Sequence, residues 1–376
     1  MTSVDSFADA DRLVAAQEVA RRAEVDAVLV TPGPDLLYLT GYRAIALERL
    51  TCLVVPAEGD PVLVAPGLEV PAAQASPVGA AGVSIRGWAE TDDPYALVAS
   101  LIPGARDVAL TDSMAATAVL HLRDAMPKAR QQLAGPVLRE LRMIKSEREI
   151  EHLRRAGRAI DSVHEQVPDF LRPGRTEREI GEDIAEAILA AGHTVVDFVI
   201  VASGPNGASP HHEVSDRRIV VGDPVVVDIG GTMASGYCSD STRTYAIGHA
   251  PDDFLDYYAV LRDAQRAAVE SVRPGVTAEA VDAVARSLIT ASGYGERFIH
   301  RTGHGIGLET HEEPYIVQGN VEMLRVGMAF SVEPGIYLPG KHGARIEDIV
   351  VVTPDGVEAL NNTTHDLVVT DPAFSS

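Results

Sequence analysis

Apolar positions along this chain follow two rhythms, and the rhythm changes near residue 140. Between Asp11 and Glu24, Leu13, Val14, Ala16, Val19, Ala20 and Ala23 recur at helical spacing, which predicts a helix. Val28 to Val30 follows as a short apolar run, stopped by the turn sequence Thr31-Pro32-Gly33-Pro34. Further strand-like runs stand at Cys52 to Val55, Pro61 to Val64 and Val108 to Leu110. This alternation predicts an α/β first domain, and no group of ligand-type side chains gathers in it.

The second rhythm opens at Ser146-Glu147-Arg148-Glu149. It is a capping box, in which the serine bonds the third amide and Glu149 reaches back. It predicts a long helix from Glu147 to about Leu171, with Ile150, Leu153, Ala156 and Ile160 on one apolar stripe. The domain division is placed at Arg139, giving domains of residues 1–138 and 139–376. The second domain then repeats itself. Leu171-Arg172-Pro173-Gly174-Arg175-Thr176 is echoed at Val272-Arg273-Pro274-Gly275-Val276-Thr277. Each copy starts a helix at a threonine cap, and each helix stops at a glycine, Gly192 or Gly293. Strand-like sequence follows in both, at Val195 to Val201 and Val225 to Ile229, then at Met328 to Val332 and Ile346 to Val352. Two related α-plus-β halves enclosing a cleft are the expectation.

Charge narrows the function. The chain has 32 basic and 54 acidic residues, a net charge of −22. Nucleic acid and anionic membranes are excluded as partners, because both are held by clustered Lys and Arg. Apolar residues at 46% can build a core, and two cysteines cannot build a disulfide framework. The start, MTSVDSFADADR, is acidic and unlike a leader. No apolar run approaches the roughly 18–20 residues that span a bilayer. A soluble, cytoplasmic protein is expected.

The chemistry is in acids that interrupt apolar strands. Asp228 lies in Val225-Val226-Val227-Asp228-Ile229-Gly230-Gly231, and Asp240 in Tyr237-Cys238-Ser239-Asp240-Ser241-Thr242-Arg243. The short segment between reads as a hairpin turn. A register centred near Ala234 sets the two aspartates opposite each other, their Cβ atoms about 4.5–5.5 Å apart. Bare carboxylates there repel, and cations remove the problem. His304 stands among glycines in Gly303-His304-Gly305, Glu333 ends the run Phe330-Ser331-Val332, and Glu347 sits in Arg345-Ile346-Glu347-Asp348. Alternation puts Arg345 and Glu347 on one face and Asp348 on the other. Four carboxylates and one imidazole form a hard set that suits two divalent ions, Mn²⁺ first, with Co²⁺, Zn²⁺ or Fe²⁺ as alternatives. Two such ions about 3.5–4 Å apart, bridged by carboxylates and a hydroxide, form a hydrolytic centre.

The segments DIGG…YCSDSTRT, HRTGHGIGLETHEEPYI, SVEPGIY and RIEDIVVV resemble the metallopeptidases of the pita-bread fold. YLTGY and LRMIKSEREIEHLRRA are similar to the branch of Xaa-Pro dipeptidases (prolidases) and aminopeptidases P. The resemblance implies an α+β pita-bread catalytic domain with an internal pseudo-twofold, preceded by a smaller α/β creatinase/prolidase-type domain. By position, Asp228 would chelate one metal, His304 and Glu333 the other, and Asp240 and Glu347 would bridge. A metal-bridging hydroxide would attack the scissile carbonyl, with Glu333 shuttling its proton. His211 and His311 match two accessory histidines that orient substrate and stabilise the tetrahedral intermediate. Arg345 would fix a carboxylate ligand or meet the substrate's own carboxylate. The substrate would be a small peptide with proline second, and the first domain of a homodimer would help to close the cleft. One departure from the pattern is that Asp240 follows Asp228 one residue later than the family implies, which an extra turn residue or a bulge absorbs.

Taken singly, these residues have plainer readings. Either aspartate alone reads as a turn or strand-edge acid, and His304 alone as a loop histidine. His212 reads as solvent-facing, His300 and His342 as supporting or surface residues, and Cys238 as a small packing residue. Asp252-Asp253 reads as a helix start. Gly303-x-Gly305-x-Gly307 lacks the spacing of a nucleotide loop. The competing functions are aminopeptidase P in place of a dipeptidase, a creatinase-like hydrolase of a small metabolite, and a non-catalytic binding module. Retention of all five ligands weighs against the last two, and the long first domain against methionyl aminopeptidase.

Overall fold

The computed structural model describes residues 10–371 and divides after Arg142 into two compact units. Met1 to Asp9 of the acidic start lie outside the described residues. In the first unit, six strands form one mixed sheet: β1 (Ala27–Val30), β2 (Cys52–Pro56), β3 (Val62–Pro66), β4 (Ser84–Trp88), β5 (Asp107–Leu110) and β6 (Arg130–Leu133). Their order is β4-β3-β2-β1-β5-β6, with β2 antiparallel to both neighbours and the other pairs parallel. The apolar runs legible in sequence become its central strands. β1 is buried along its whole length, as a strand covered on both faces must be. Leu29, Val54 and Val64 pack with Val98 and Leu122 of the helices Pro94–Leu101 and Ala116–Ala125.

The second unit opens with the predicted capping box: Ser146 accepts from the Glu149 amide while the Glu149 carboxylate accepts from the Ser146 amide. Its helix, Glu147–His164, stops short of the expected Leu171. A separate turn, Val167–Phe170, follows with Pro168 near its start, where proline's missing N–H costs nothing. Three long strands come next, β7 (His193–Ser203), β8 (Pro224–Met233) and β9 (Cys238–Ile247). Then follow β10 (Gly303–Gly305), β11 (Glu312–Ile316), β12 (Ala329–Val332), β13 (Gly335–Leu338), β14 (His342–Arg345), β15 (Asp348–Thr353), β16 (Gly356–Ala359) and β17 (Val368–Thr370). They form sheets of order β17-β9-β8-β7, β11-β10-β12-β15-β16 and β13-β14.

The sequence repeat is a repeat of hydrogen bonds. Gly174 and Gly275 both take a left-handed conformation, φ 89° and 85°, which glycine adopts without steric cost. Each amide then donates across to a later strand segment, Gly174 to Ile219 O (2.8 Å) and Gly275 to Leu324 O (2.9 Å). Thr176 and Thr277 cap the helices Glu177–Ala190 and Ala278–Ala291, and each threonine forms an isolated bridge, to Arg218 and to Met323. Gly192 and Gly293 end those helices at φ 104° and 88°. The two halves of the second unit thus open alike, each with a left-handed glycine, a threonine cap and a glycine stop.

Candidate active site

Strand pairing decides which side chains share a face. Across β7, β8 and β9 run the rows Ile200–Asp228–Thr242 and Phe198–Gly230–Asp240. Asp228 and Asp240 therefore project from the same face, but diagonally. The directly opposed register expected from the sequence is corrected. Its cause is the turn: the Met233 amide donates to Tyr237 O (3.0 Å) and the Gly236 amide to Met233 O (2.8 Å). Gly236 sits at φ 89°, so the loop has three residues with a left-handed glycine last and is centred on Ser235. The pairing of β8 with β9 runs without a bulge from this loop to Pro224 and Ala246. Gly230, facing Asp240, leaves room for Phe198: a Cβ there would lie 2.5 Å from Phe198 Cε1. The alternate positions Val225, Val227 and Ile229 point the other way, onto Ile160, Ile180 and Ile184.

The second half supplies the remaining ligands. His304 is the middle residue of β10, between two glycines whose added Cβ atoms would strike the carbonyls of Ser331 and Glu313. Its Nδ1 faces Gly305 O at 3.1 Å. A carbonyl only accepts, so Nδ1 carries a proton, and Nε2 is the ring nitrogen turned toward the acids. Glu333 follows β12, its amide donating to Thr302 O (2.8 Å) and its Oε1 accepting from Ser331 Oγ (3.1 Å). Glu347 is not inside a strand, as the sequence suggested, but at the junction between β14 and β15, where the pairing partner changes from β13 to β12. It is held by Thr242, whose carbonyl accepts its amide at 3.1 Å and whose hydroxyl donates to Oε2 at 2.7 Å. The expected alternation survives the break. Arg345 and Glu347 turn toward the site, while Asp348 pairs with Arg243 at 2.7 Å on the other side.

All five predicted ligands converge. Asp228, Asp240 and Glu347 form one group, and His304, Glu333 and Glu347 another, each with ligand atoms within 4.8 Å of one another. His304 Nε2 is 3.2 Å from Glu333 Oε1 and 3.6 Å from Asp240 Oδ2. The electrostatics are those of a cation site. Burial, then the charges of Glu347, Asp228 and Glu333, drive the Asp240 carboxyl well above its ordinary range. Burial with Glu333 and Asp228 does the same to Glu347. Glu333 is the counterweight: burial raises it, but the hydrogen bond and charge of His304, with the Arg345 guanidinium, hold it down at about 2. Asp228 Oδ1 is buried and accepts no hydrogen bond from the described residues, an arrangement that costs free energy unless a cation takes the lone pair. The donor set is hard, and every group fits a pair of divalent ions.

Around the ligands lie residues that the sequence singles out, together with Tyr337 and Thr242, which it does not. Arg345 donates to Asp228 Oδ2 (2.5 Å), to Tyr337 OH (2.8 Å) and to Thr242 Oγ1 (3.1 Å). The Tyr337 hydroxyl in turn meets His300 Nε2 at 2.8 Å, while His300 Nδ1 donates to Arg301 O at 2.7 Å. Burial lowers the His300 pKa, so the ring is neutral and accepts the tyrosine proton. Only the antiparallel pairing of β13 with β14 brings Tyr337 beside Arg345, which no periodicity along the chain reveals. His311 packs edge-on against His304 with ring centroids 4.0 Å apart. Lost solvation, with the charges of His304 and Arg301, pushes it down to about 4. His211 is exposed on the wall of a cavity of about 890 Å³, whose floor is the ligand set and whose sides include Phe198, Ile200, Arg301 and His311. His212 is not solvent-facing as expected: its Nε2 bonds the fully buried Glu177 at 2.8 Å, because the loop turns it inward. His342 lies elsewhere, buried against Tyr257 (2.9 Å). Cys238 is buried beside Thr232, its thiol pushed up to about 11 by burial, and joins none of the ligand groups.

Comparison with known proteins agrees with this geometry. Residues 151–354 match the description Metallopeptidase family M24, and residues 12–144 match the Creatinase/Prolidase N-terminal domain. The chain is 55% identical to the probable dipeptidase PepE of Mycobacterium tuberculosis over 97% of each chain. It is 38% identical to the Xaa-Pro dipeptidase of Lactobacillus helveticus, over 91% of this chain and 94% of that one. Among solved structures, the dipeptidase PepE of Mycobacterium ulcerans superposes with a TM-score of 0.94 at 54% identity, covering 98% of this chain and 99% of the other.

Proposed function

Because the chain belongs to metallopeptidase family M24, we propose that it is a dinuclear-metal dipeptidase that hydrolyses the bond between a first residue and a following proline. The observation that carries this reading is the convergence of Asp228, Asp240, His304, Glu333 and Glu347 on one cavity floor, with a buried acceptor left over on Asp228. When bound, two divalent ions, Mn²⁺ foremost, supply Lewis-acid charge and a water-derived hydroxide nucleophile at neutral pH. The residues of the chain do the rest. Asp228 would hold one ion and His304 with Glu333 the other, with Asp240 and Glu347 shared between them. Glu333 would take the proton of the attacking water and return it to the leaving nitrogen. His311, neutral above about pH 4, and His211 on the cavity wall donate hydrogen bonds to the oxygen that gains charge. Arg345 is committed to Asp228 and Tyr337, and so acts by fixing a ligand carboxylate.

The proline preference and the dipeptide length rest on likeness to the relative named an Xaa-Pro dipeptidase. A homodimer, with the first domain of residues 1–138 contributing to dimerisation and cleft closure, and a cytoplasmic location belong to the same reading. No helix among the described residues is long and apolar enough to cross a membrane. The test is hydrolysis by chelator-stripped protein with and without Mn²⁺, offered an Xaa-Pro dipeptide, an Xaa-Pro-Xaa tripeptide and a matched peptide lacking proline. Metal-dependent cleavage confined to the dipeptide is expected. Preference for the tripeptide makes the chain an aminopeptidase P, and failure on every proline peptide by protein carrying two ions overturns the reading.

A further inference from the structure

The segment from Gly204 to Arg217 is the first part of the connection from β7 to β8 and brings Pro210-His211-His212 to the cavity wall. Few of its side chains are buried, so packing does little to hold it. It is gathered instead on one carboxylate. Glu177, the first residue of the helix Glu177–Ala190, is fully buried and does not line the cavity. Its Oε1 accepts from the Ser203 amide (2.8 Å), the Ser203 hydroxyl (2.6 Å) and Asn206 Nδ2 (3.0 Å). Its Oε2 accepts from Asn206 Nδ2 (3.0 Å), His212 Nε2 (2.8 Å), the Ser215 hydroxyl (2.5 Å) and the Ser215 amide (3.3 Å). These donors stand on both sides of His211, with Ser203 and Asn206 before it and His212 and Ser215 after it.

The internal repeat provides a control for what this carboxylate is for. In the second copy the equivalent position is Ala278. The backbone there does the same thing as at Glu177: the Glu177 amide donates to Arg217 O (3.0 Å), and the Ala278 amide to Glu322 O (2.9 Å). One residue on, the Arg178 amide donates to Ser215 O (3.0 Å) and the Glu279 amide to Asn320 O (2.9 Å). The cap, the bridge and the strand contact therefore form with alanine in this place. A buried carboxylate is costly unless its lone pairs are met. In the first copy it gathers the loop that brings His211 to the cavity wall.

We propose that Glu177 is a positioning residue for the peptidase reaction, its carboxylate fixing the loop of residues 204–216 so that His211 meets the substrate. The assignment rests on the Xaa-Pro peptidase reading above. Glu177→Gln puts an N–H₂ where the loop offers only donors, and Ser215→Ala removes one donor as a milder variant. In the metal-loaded full chain, Glu177→Gln lowers kcat by about tenfold or more, with KM and bound metal within about twofold of wild type. In a His211→Ala background the same change costs nothing further, because the two residues act as one unit. Amide hydrogen exchange over residues 204–216 rises in both Glu177→Gln and Ser215→Ala while that of β8 and β9 is unchanged. Wild-type kcat in Glu177→Gln, losses that multiply in the double variant, or unchanged loop exchange would each overturn the assignment. If the wild-type protein cleaves no proline peptide, the peptidase reading fails and takes the catalytic part of the assignment with it. The exchange measurement still decides separately whether Glu177 fixes the loop.

Discussion

At the scale of single residues, the site is a problem in charge that the protein leaves unsolved without cations. Asp240 is hemmed in by Glu347, Asp228 and Glu333 and is driven toward its neutral form. Asp240→Asn keeps the size but not the charge, so it abolishes turnover and lowers bound metal measured by elemental analysis. Two ions per chain with normal turnover in that variant would exclude a bridging role. Tyr337 receives the Arg345 guanidinium and donates to His300. Tyr337→Phe leaves both without their shared hydroxyl. It lowers activity by about 10- to 100-fold, the range seen when a supporting partner of a metal ligand is removed, while the fold is retained. Activity within twofold of wild type would show that Arg345 holds Asp228 unaided. The four candidate carboxylate ligands stood out in sequence because acids within apolar runs are conspicuous, and the structure brings them with His304 to one cavity floor. Tyr337, Thr242 and Glu177 did not stand out, because an ordinary tyrosine, a strand threonine and a helix-start glutamate carry no mark of the partner they meet.

Among the elements, the β8–β9 hairpin decides how the aspartates face each other. The offset of its register follows from Gly236 in the left-handed region at φ 89°. Gly236→Ala forces a Cβ into that region at a cost of about 1–2 kcal/mol. It lowers the unfolding temperature, and asparagine at the same position recovers part of the loss, since it tolerates this conformation better. A Gly236→Ala protein as stable as wild type would mean that the turn has changed type. Helix boundaries were readable where a cap and a glycine stop are both present, as at Thr176 with Gly192. They were misjudged after His164, where apolar periodicity continues through Val167 and Leu171 although the chain leaves the helix. Strand faces were readable by alternation, and Arg345, Glu347 and Asp348 turned as expected even though the strand breaks between them.

For the whole molecule, buried histidines set the response to acid. His164 is enclosed between Tyr245 OH (2.9 Å) and Ser241 O (3.1 Å). Burial, and then the charge of Arg243, push it down to about 3. A histidine that titrates near 6.5 when unfolded and near 3 when folded stabilises nothing by its charge. Its unfolded form gains a proton first, so stability present above pH 6.5 is lost as pH falls toward 3. The slope is about 1.4 kcal/mol per pH unit for this one group. Chelator-treated protein is expected to melt at progressively lower temperature between about pH 6.5 and 4.5, and His164→Gln to fall less steeply. Equal slopes would show that His164 is accessible to protons in the folded protein.

The sequence by itself determined the kind of chemistry and the plan of the molecule. A candidate set of acids in apolar runs, a duplicated Pro-Gly-x-Thr start and two successive rhythms are local signals, each carried by residue type and spacing within one or two elements, whereas His211 and His311 were picked out by resemblance. What only the tertiary structure decided is how those signals combine. The diagonal set of the aspartates depends on one glycine's conformation, and the inward turn of His212 depends on Glu177, which lies 35 residues earlier. Arg345 reaches Asp228 across 117 residues of chain. Such contacts are made by folding the two halves around one site, and no pattern of neighbours along the chain encodes a partner that far away.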